Sequence, residues 1–420
     1  MKCIPVFLLL MGLAACSSRQ TDHNHTVAIG KTISIYSAIL GEERTVLVHL
    51  PGDNYGAASD SQHVSGGPHY PVVYLLDGEG HFPSVSGMIQ QLSEVNGNSV
   101  SPDMIVVGIV NTDRERDLTP THSATDFRGD SSSVKNSGGG EKFMAFIEKE
   151  LIPHIDSLYP TAPWRMLIGH SLGGLTVINT LVHHPQVFNA YLAIDPSMWW
   201  DKQRLLHETD TALATASFKG KTLYLAIANT MPQGMDTASV RRDTTNNTFH
   251  IRSILQLADA LRRHTNDGLS WNYKYYNGDN HGSVPLIAEY DALHFIFSSY
   301  NAPGLLPKLF DDHTNDTAAI AAVRAYYAAI SQQMGYNILP PEDYVNGLGY
   351  DFLQMKAPEK AHAFFQLNID NYPNSGNALD SMGDYYAAAG DKKKALDYYT
   401  KAFALSHDPE TKRKLDKLKG

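Results

Sequence analysis

Cysteine is the rarest residue in this 420-residue sequence, where it occurs twice, as Cys3 and Cys16. Both positions are at the N-terminus, so the body of the chain has no thiol for a disulfide or a thiolate-bound metal. The sequence also lacks the spacing of metal ligands, a phosphate-binding loop and a dinucleotide-binding fingerprint. We therefore expect neither a metal nor a cofactor.

An excess of positive charge is missing as well. Lysine and arginine number 34 against 44 aspartate and glutamate residues, which gives a net charge of −10 and a pI of about 6.0. Nucleic-acid affinity depends mainly on basic contacts to phosphates, so a nucleic-acid partner is not expected. No apolar run reaches the length of a membrane-spanning helix.

The N-terminus has the pattern of an export signal. Lys2 precedes an apolar stretch over 4–13, which is the length of a signal-peptide core. The stretch ends in Leu13-Ala14-Ala15-Cys16 and resembles a bacterial lipobox, in which the cysteine is lipidated. We expect a signal peptide over 1–15, a tether over 16–30 and a membrane-anchored lipoprotein on the periplasmic or cell-surface side. An ordinary signal peptide with an incidental cysteine is the alternative.

The next part of the chain alternates strand and helix patterns. Residues 32–50 alternate as in an antiparallel edge strand. Continuous apolar runs, typical of strands covered on both faces, occupy 70–78, 104–110, 165–169, 190–194, 222–228 and 271–276. Helical spacing covers 141–159, 172–183 and 250–263. We predict an α/β domain over 31–302 with a mostly parallel central sheet.

A smaller all-helical domain is predicted over 303–420. It contains a repeat with a period of about 34 positions, which resembles the tetratricopeptide repeat. The equivalent pairs are Leu348-Gly349 with Met382-Gly383, Phe352 with Tyr386, Lys360-Ala361 with Lys394-Ala395, and Phe364-Phe365 with Tyr398-Tyr399. Two repeats need a neighbour to cover their apolar faces, either the α/β domain or a helix over 318–334. An irregular helical cap is the alternative interpretation.

A nucleophile is indicated by Gly169-His170-Ser171-Leu172-Gly173, which fits G-x-S-x-G. In that motif, small neighbours let a strand turn sharply into a helix, so the serine hydroxyl projects above the sheet. The motif follows an apolar strand and opens an apolar helix, as this turn requires. Ser171 is therefore the predicted nucleophile.

His281 is the predicted general base. It lies in a Gly-rich loop just after the last strand, where catalytic groups collect in open α/β sheets. It would accept the proton of Ser171 and return it to the leaving alcohol. Other histidines, including His183, His184 and His250, fall within predicted helices.

The acid that would orient His281 is ambiguous. Chain order places it after the strand over 222–228, but Asn229 and its neighbours carry no carboxylate. Asp236 is the first candidate, Asp243 the second, and Asp195, which ends the preceding strand, the third. A Ser–His dyad oriented by Asn229 or by a backbone carbonyl is the alternative.

Further residues are expected around the nucleophile. The N–H of Leu172 and an N–H near Gly78 and Glu79 are the predicted oxyanion donors. Arg114, or its neighbour Arg116, would bind an anionic or oxygen-rich substrate, or form an internal Arg–Asp pair that fixes its loop. Adjacent tryptophans would either wall a substrate pocket or belong to the core; they are Trp199 and Trp200.

These motifs together resemble the esterase family that contains esterase D, feruloyl esterases and enterobactin (trilactone siderophore) esterases. The matching segments, within about 30–300, are Tyr74-Leu75-Leu76-Asp77-Gly78, the turn at Ser171, Ser197-Met198-Trp199-Trp200 and Asp279-Asn280-His281-Gly282. The resemblance implies an α/β-hydrolase fold, carboxylic ester hydrolysis and no cofactor. The siderophore-esterase branch, for which a Ser–His dyad has been proposed, is the most similar.

The predicted activity is hydrolysis of a small-molecule ester through an acyl-serine intermediate. Siderophore lactones, feruloyl or acetyl esters of glycans and small acyl esters are the substrates considered. An acyltransferase of the same fold is one alternative. The other alternative is a membrane-anchored, non-catalytic binding protein that uses the helical repeats. A working enzyme could also recruit a protein partner through those repeats.

Overall fold

The structure is a computed structural model that describes residues 28–52, 69–93, 95, 98–265, 268–300 and 304–419. The predicted signal peptide, Cys16 and most of the predicted tether lie outside these residues. No helix in the described part is long and apolar enough to cross a membrane.

One sheet runs through the N-terminal region. Its eight strands are β1 (Lys31–Ser37), β2 (Glu42–His49), β3 (Tyr70–Leu75), β4 (Ile105–Ile109), β5 (Thr161–His170), β6 (Ala190–Ile194), β7 (Thr222–Ala228) and β8 (Ser270–Tyr276). Their order in the sheet is β1-β2-β4-β3-β5-β6-β7-β8. β1 pairs with β2, and β2 with β4, in antiparallel fashion, while every other pairing is parallel. This is the predicted α/β-hydrolase sheet.

Helices cover both faces of the sheet. Those of the first region are α1 (Gly78–Ser93), α2 (Arg114–Asp117), α3 (Gly140–Phe146), α4 (Ile152–Leu158), α5 (Leu172–His183), α6 (Trp200–Thr215), α7 (Thr237–Val240), α8 (Phe249–Arg263) and α9 (Val284–Ile296). A π-helical turn over Ile147–Leu151 joins α3 to α4, so the predicted helix over 141–159 is nearly continuous. Helices α1, α6 and α9 were not expected from the sequence.

The strands alternate between two cores. Val72 and Tyr74 belong to the buried cluster on one face of the sheet, and Val73 and Leu75 belong to the cluster on the other. All four side chains are at most 1% exposed. Because successive side chains of a strand point to opposite faces, a strand covered on both sides reads as a continuous apolar run.

The region after residue 304 is all-helical, as predicted. Its helices are α10 (Leu305–Phe310), α11 (Asp316–Met334), α12 (Glu342–Gln354), α13 (Pro358–Asn371), α14 (Gly376–Ala388), α15 (Lys392–Ser406) and α16 (Pro409–Lys419). α11 anchors this region, because Ile330 and Met334 are part of one of the two sheet cores. The Gln333 amide also donates to the Ile296 carbonyl at 2.7 Å.

The sequence repeat corresponds to two helix pairs that pack in the same way. α12 packs on α13 as α14 packs on α15. A Cβ on Gly349 would lie 2.5 Å from the Phe365 ring, and one on Gly383 would lie 2.6 Å from the Tyr399 ring. The same glycine–aromatic contact therefore recurs 34 positions later. In each helix pair the aromatic ring packs where the glycine of the other helix has no side chain.

Candidate active site

Ser171 lies at the sharp turn between β5 and α5. Its backbone has φ 60° and ψ −114°, a strained conformation for a residue other than glycine. A Cβ on Gly169 would come within 2.3 Å of the Gly173 carbonyl oxygen, and one on Gly174 within 2.9 Å of Pro196 Cα. Glycine is therefore required on both sides of the turn, and the motif forms the strained strand–turn–helix that the sequence predicted.

The Ser171 hydroxyl is close to a second serine in this structure. Its Oγ lies 3.4 Å from Ser197 Oγ, and the Ser197 N–H donates to the Ser171 carbonyl at 3.0 Å. Among the described residues, no hydrogen bond joins Ser171 to His281. Such bonds are often long without substrate and shorten in the Michaelis complex.

His281 is held by a carboxylate. Its Nδ1 lies 2.6 Å from Asp195 Oδ2, the distance of a charge-assisted hydrogen bond. A neutral imidazole that donates through Nδ1 has its other nitrogen free to accept. The His281 side chain is 40% exposed, whereas Asp195 behind it is fully buried.

Asp195 follows β6 directly and is completely buried. Its Oδ1 accepts the Ala228 N–H at 2.9 Å, and its Oδ2 accepts from His281 and from His250 Nε2, the latter at 2.8 Å. Burial alone would raise the pKa of this carboxyl, but the hydrogen bonds from His250 and His281 hold the pKa well below its usual range. Asp195 is therefore an ionised carboxylate at neutral pH.

The prediction that Asp236 orients His281 is wrong. Asp236 is exposed and caps α7, where its Oδ1 accepts the N–H groups of Ala238 and Ser239 at 3.1 and 2.6 Å. Asp243 accepts two threonine hydroxyls of its own loop. Asn229 donates to the Asn277 carbonyl. The third candidate of the sequence analysis, Asp195, takes the position instead.

The predicted oxyanion donors lie at two adjacent helix starts. Leu172 is the first residue of α5, and Gly78 and Glu79 open α1. The first N–H groups of a helix have no partner within it, so they can bind an anion. The two starts are close together, since a Cβ on Gly173 would be 3.3 Å from the Asp77 carboxylate.

Arg114 forms the internal pair that was the alternative to substrate binding. Its Nε donates to Asp77 Oδ1 at 2.7 Å and one terminal nitrogen donates to Oδ2 at 2.9 Å. Arg116 is likewise bound to Glu42 and Asp117. The expectation of a substrate-binding Arg114 is thus corrected: the fork of its guanidinium is already occupied, and it fixes the loop after β4 against the start of α1.

The adjacent tryptophans have different roles. Trp200 is 3% exposed and donates its indole N–H to the Thr121 carbonyl at 2.9 Å, so it belongs to the core. Trp199 lines a cavity of about 490 Å³ together with Phe127, Phe249, Asp201 and Lys202, among others. That volume is typical of a small-molecule site.

The cavity wall contains a strained turn. Asp201, Lys202 and Gln203 have φ values of 44°, 56° and 65°, which form a left-handed turn without glycine. Such backbone strain persists only where surrounding contacts enforce it, and it concentrates at ligand sites.

A second histidine borders His281. His170 precedes the nucleophile, and its ring centroid lies 4.4 Å from that of His281. Burial, together with the charge of His281, lowers the pKa of His170 to about 4. His170 is therefore neutral at pH 7 and adds no positive charge beside the base.

One group of side chains in the described part of the chain could hold a metal ion, and it is the same group. The ligand atoms of Asp195, His250 and His281 lie within 4.8 Å of one another. The two nitrogen–oxygen distances of 2.6 and 2.8 Å are, however, those of hydrogen bonds that already satisfy the carboxylate. The geometry is that of two imidazoles hydrogen-bonded to one buried carboxylate.

Comparison with known proteins agrees with this geometry. A family model described as "Putative esterase" matches residues 37–281. The chain belongs to this esterase family. A crystal structure of an IroE-like serine hydrolase from Shewanella oneidensis is 30% identical, with a TM-score of 0.65, and the alignment covers 81% of this chain and 98% of that one.

Two curated relatives of the esterase family are similar over a shorter segment. The ferri-bacillibactin esterase BesA of Bacillus subtilis is 37% identical over 34% of this chain and 52% of its own length. The siderophore enterobactin esterase of Emericella nidulans is 28% identical over 35% of this chain and 52% of its own length. The chain thus spans about half the length of the curated relatives it matches.

Proposed function

We propose that this esterase-family member hydrolyses carboxylic esters through an acyl-serine intermediate, with Ser171 as nucleophile, His281 as general base and Asp195 as the acid that orients the base. The observation that carries the proposal is the 2.6 Å bond from His281 to a fully buried carboxylate, beside a serine held at φ 60°. Strain at the serine and an ionised acid behind the histidine are the features that acyl transfer requires.

The first chemical step joins Ser171 to the substrate. Nε2 of His281 accepts the hydroxyl proton while Oγ bonds to the ester carbonyl carbon, and the carbonyl π electrons move to its oxygen. The imidazolium that forms is stabilised by the Asp195 carboxylate, which stays ionised throughout.

The oxyanion then needs donors. The Leu172 N–H and the N–H groups of Gly78 and Glu79 are the proposed donors, supported by their position in the first turns of α5 and α1. The intermediate collapses by breaking the bond to the alcohol oxygen, which receives the proton from His281. Water, deprotonated by the same histidine, then hydrolyses the acyl-serine by the reverse sequence.

Siderophore-type esters with aromatic groups are the proposed substrates. The support is twofold: the curated relatives are named as esterases of ferri-bacillibactin and enterobactin, and an aromatic cavity is lined by Trp199, which closely follows a serine in contact with Ser171. Ser197 touches Ser171, and two residues later Trp199 packs its ring 4.8 Å from that of Phe127. Aromatic walls suit a flat aryl group, and polar groups on it could pair with Lys202 or with the carboxylates of Asp126 and Asp201, which also line the cavity.

The test uses the full-length purified chain and two serine variants. We expect a fluorophosphonate to label Ser171, and p-nitrophenyl butyrate and a trilactone siderophore to be hydrolysed. Ser171→Ala should lose both activities by about five orders of magnitude, because it removes the nucleophile. Ser197→Ala, the matched control one hydroxyl away, should retain labelling. A folded wild type that neither labels nor hydrolyses any of these esters contradicts the proposal.

Membrane anchoring through Cys16 is a further part of the proposal. It is supported by the small residues that precede this cysteine in Leu13-Ala14-Ala15-Cys16. Several acyl chains would hold the enzyme to a membrane, on the periplasmic or cell-surface side, without a spanning helix. Cys16→Ser should move the protein from the membrane fraction to the soluble fraction. An unchanged distribution contradicts the anchor.

The helical domain is proposed to be a tetratricopeptide-like module that binds a protein partner. It is supported by the repeated glycine–aromatic contacts and by a groove of about 600 Å³ between α11 and α13. The groove is lined in part by Ile320, Arg324 and His362. Ile320→Asp should abolish co-purification of a partner without changing ester hydrolysis. Identical co-purifying proteins in both samples contradict this part.

A further inference from the structure

Asp195 accepts hydrogen bonds from two histidines instead of the single base that ester hydrolysis needs. His281 Nδ1 and His250 Nε2 converge on the same oxygen, Oδ2, at 2.6 and 2.8 Å. The two rings meet edge to face, with centroids 5.2 Å apart and an interplanar angle of 88°. One oxygen atom therefore couples the orientation of both imidazoles.

His250 is held firmly in this position. It lies in the first turn of α8, next to the fully buried Ile251, and Ile254 in the following turn is fully buried as well. Its side chain is 15% exposed. Because a neutral imidazole carries a single N–H, the bond from Nε2 to a carboxylate also sets the tautomer of His250.

The carboxylate needs this second side-chain donor. Asp195 is 0% exposed, so bulk water cannot hold its carboxylate in one orientation. Its backbone lies in the left-handed region, with φ 41°, and is itself strained. The carboxylate therefore depends on donors from the protein. Without His250, Oδ2 would keep one donor and Oδ1 would keep only the Ala228 N–H. A buried carboxylate with too few donors turns toward whichever donor remains or becomes protonated.

We propose that His250 is a positioning residue of the catalytic site: by donating from Nε2 to Asp195 Oδ2, it fixes the carboxylate so that the same oxygen holds His281 Nδ1. This inference rests on the proposed ester hydrolysis. His250 makes no contact with Ser171 among the described residues, so it acts through Asp195 and not on the reacting atoms.

Two amide substitutions at position 250 distinguish the hydrogen bond to Asp195 from the space that the side chain fills. A glutamine amide nitrogen can reach the place of Nε2, whereas an asparagine amide has the same chemistry but is shorter by one methylene. His250→Gln should therefore retain kcat within about 3-fold, and His250→Asn should lower kcat by about 10- to 100-fold with little change in KM, the loss expected for one charge-assisted hydrogen bond.

A control histidine lies just beyond the C-terminal end of the same helix. His264 follows α8 and bonds through Nε2 to Asp210 at 3.0 Å, but that carboxylate is 45% exposed. His264→Asn removes an equivalent imidazole–carboxylate pair away from Asp195. It should leave kcat and KM unchanged, and thermal unfolding of all three variants shows whether each is folded.

The hydrogen bond between His281 and Asp195 can also be observed by NMR, without any turnover of substrate. Protons in short, charged N–H···O bonds resonate far downfield in ¹H spectra. In protein labelled with ¹⁵N at histidine, we expect the His281 Nδ1 proton to be resolved in wild type and in His250→Gln, and to be lost to exchange in His250→Asn. The kcat values of the same samples on p-nitrophenyl butyrate should follow this pattern.

The outcomes are distinguishable. If His250→Asn keeps both the downfield proton and the wild-type kcat, the positioning role is overturned. If His250→Gln falls with His250→Asn, the role of the distal nitrogen is also overturned. If the wild type shows the proton but neither reacts with a fluorophosphonate nor hydrolyses esters, the proposed hydrolysis fails, and the role assigned to His250 in it fails with it.

Discussion

The loops that follow β6 and β7 each contain an aspartate that the sequence offered as the catalytic acid, and the two aspartates have different functions. Asp195, after β6, is fully buried and receives two imidazoles and a backbone N–H. Asp236, after β7, is exposed and receives the N–H groups of its own short helix. Both carboxyls have a lowered pKa, so a lowered pKa alone does not identify a catalytic acid.

The origin of the donors distinguishes the two carboxylates. Those of Asp236 come from residues two and three positions away, which is the usual function of a helix cap. Those of Asp195 come from 33, 55 and 86 positions away, so the fold itself brings them together. Only long-range donors of this kind can tie an acid to a base on another loop.

Exchanging each carboxylate for an amide tests whether Asp195 and Asp236 differ in their effect on catalysis. Asp195→Asn should lower kcat by about four orders of magnitude, because the amide can donate to His281 and favour the wrong tautomer. Asp236→Asn should leave kcat within about 2-fold, since asparagine also caps helices well. Steady-state hydrolysis of p-nitrophenyl butyrate measures both. Equal losses in the two variants would remove the distinction between the loops.

Glu289 is buried like Asp195, but its carboxyl has no donor within hydrogen-bond distance among the described residues; His81 Nδ1 lies 4.0 Å from its Oε1. Glu289 is 2% exposed, and its Oε2 has no hydrogen-bond partner in the described part of the chain. Burial raises the pKa of Glu289 to about 8. The folded protein therefore keeps a proton that the unfolded chain releases above pH 4.5, its ordinary value.

Linkage gives the sign of the resulting pH dependence. The contribution of Glu289 to stability is fully present below pH 4.5 and is lost as pH rises to about 8, at about 1.4 kcal/mol per pH unit. Glu289→Gln should remove this slope in urea unfolding at pH 5, 6, 7 and 8. Glu141→Gln, which alters a 58% exposed side chain, is the control. A wild-type slope that survives in Glu289→Gln contradicts the assignment.

A smaller effect is expected at the aromatic cavity. Trp199→Ala should raise KM for an aryl ester by about 10-fold and change KM for an acetyl ester little, since ring contacts contribute about 1 kcal/mol each beyond their area. Trp200→Phe, in the core, should alter thermal stability and leave the ratio of the two KM values unchanged. Equal changes for both esters in Trp199→Ala would show that the cavity does not bind the aryl group.

The smallest effect concerns the cap. Asp236→Ala should lower the free energy of unfolding by about 1 kcal/mol or less, because α7 is one short turn that loses its side-chain acceptor. Denaturant unfolding of this variant beside Asp236→Asn measures the difference. A loss of ester hydrolysis without loss of stability would return Asp236 to the active site.

Much of the fold could be predicted because apolar patterns are local. The strands over 190–194 and 222–228 and the helix over 172–183 have the predicted bounds. The helix α1 could not be predicted, since Gly78, Gly80, Pro83 and Gly87 are poor helix formers. It forms there because its apolar side packs on the sheet, where Val85 and Ile89 are buried.

The site was predictable to a similar degree. Ser171 and His281 follow from a local motif and from chain order. Asp195 ranked only third among the candidate acids, because its contacts to His281 and His250 span 86 and 55 positions, and His250 was missed because a helical histidine carries no signal of its own. The one available clue was that β6 lies beside β5 in the sheet, which places the residue after β6 next to the nucleophile turn.

The reactivity of Ser171 is best measured as the rate at which a fluorophosphonate phosphonylates it, followed by intact-protein mass. It reports the nucleophile and its base without assuming a natural substrate. We predict rapid, single-site labelling of the wild type and of Asp236→Asn, much slower labelling of Asp195→Asn, and none of Ser171→Ala. Slow labelling of Asp236→Asn together with fast labelling of Asp195→Asn would contradict the account.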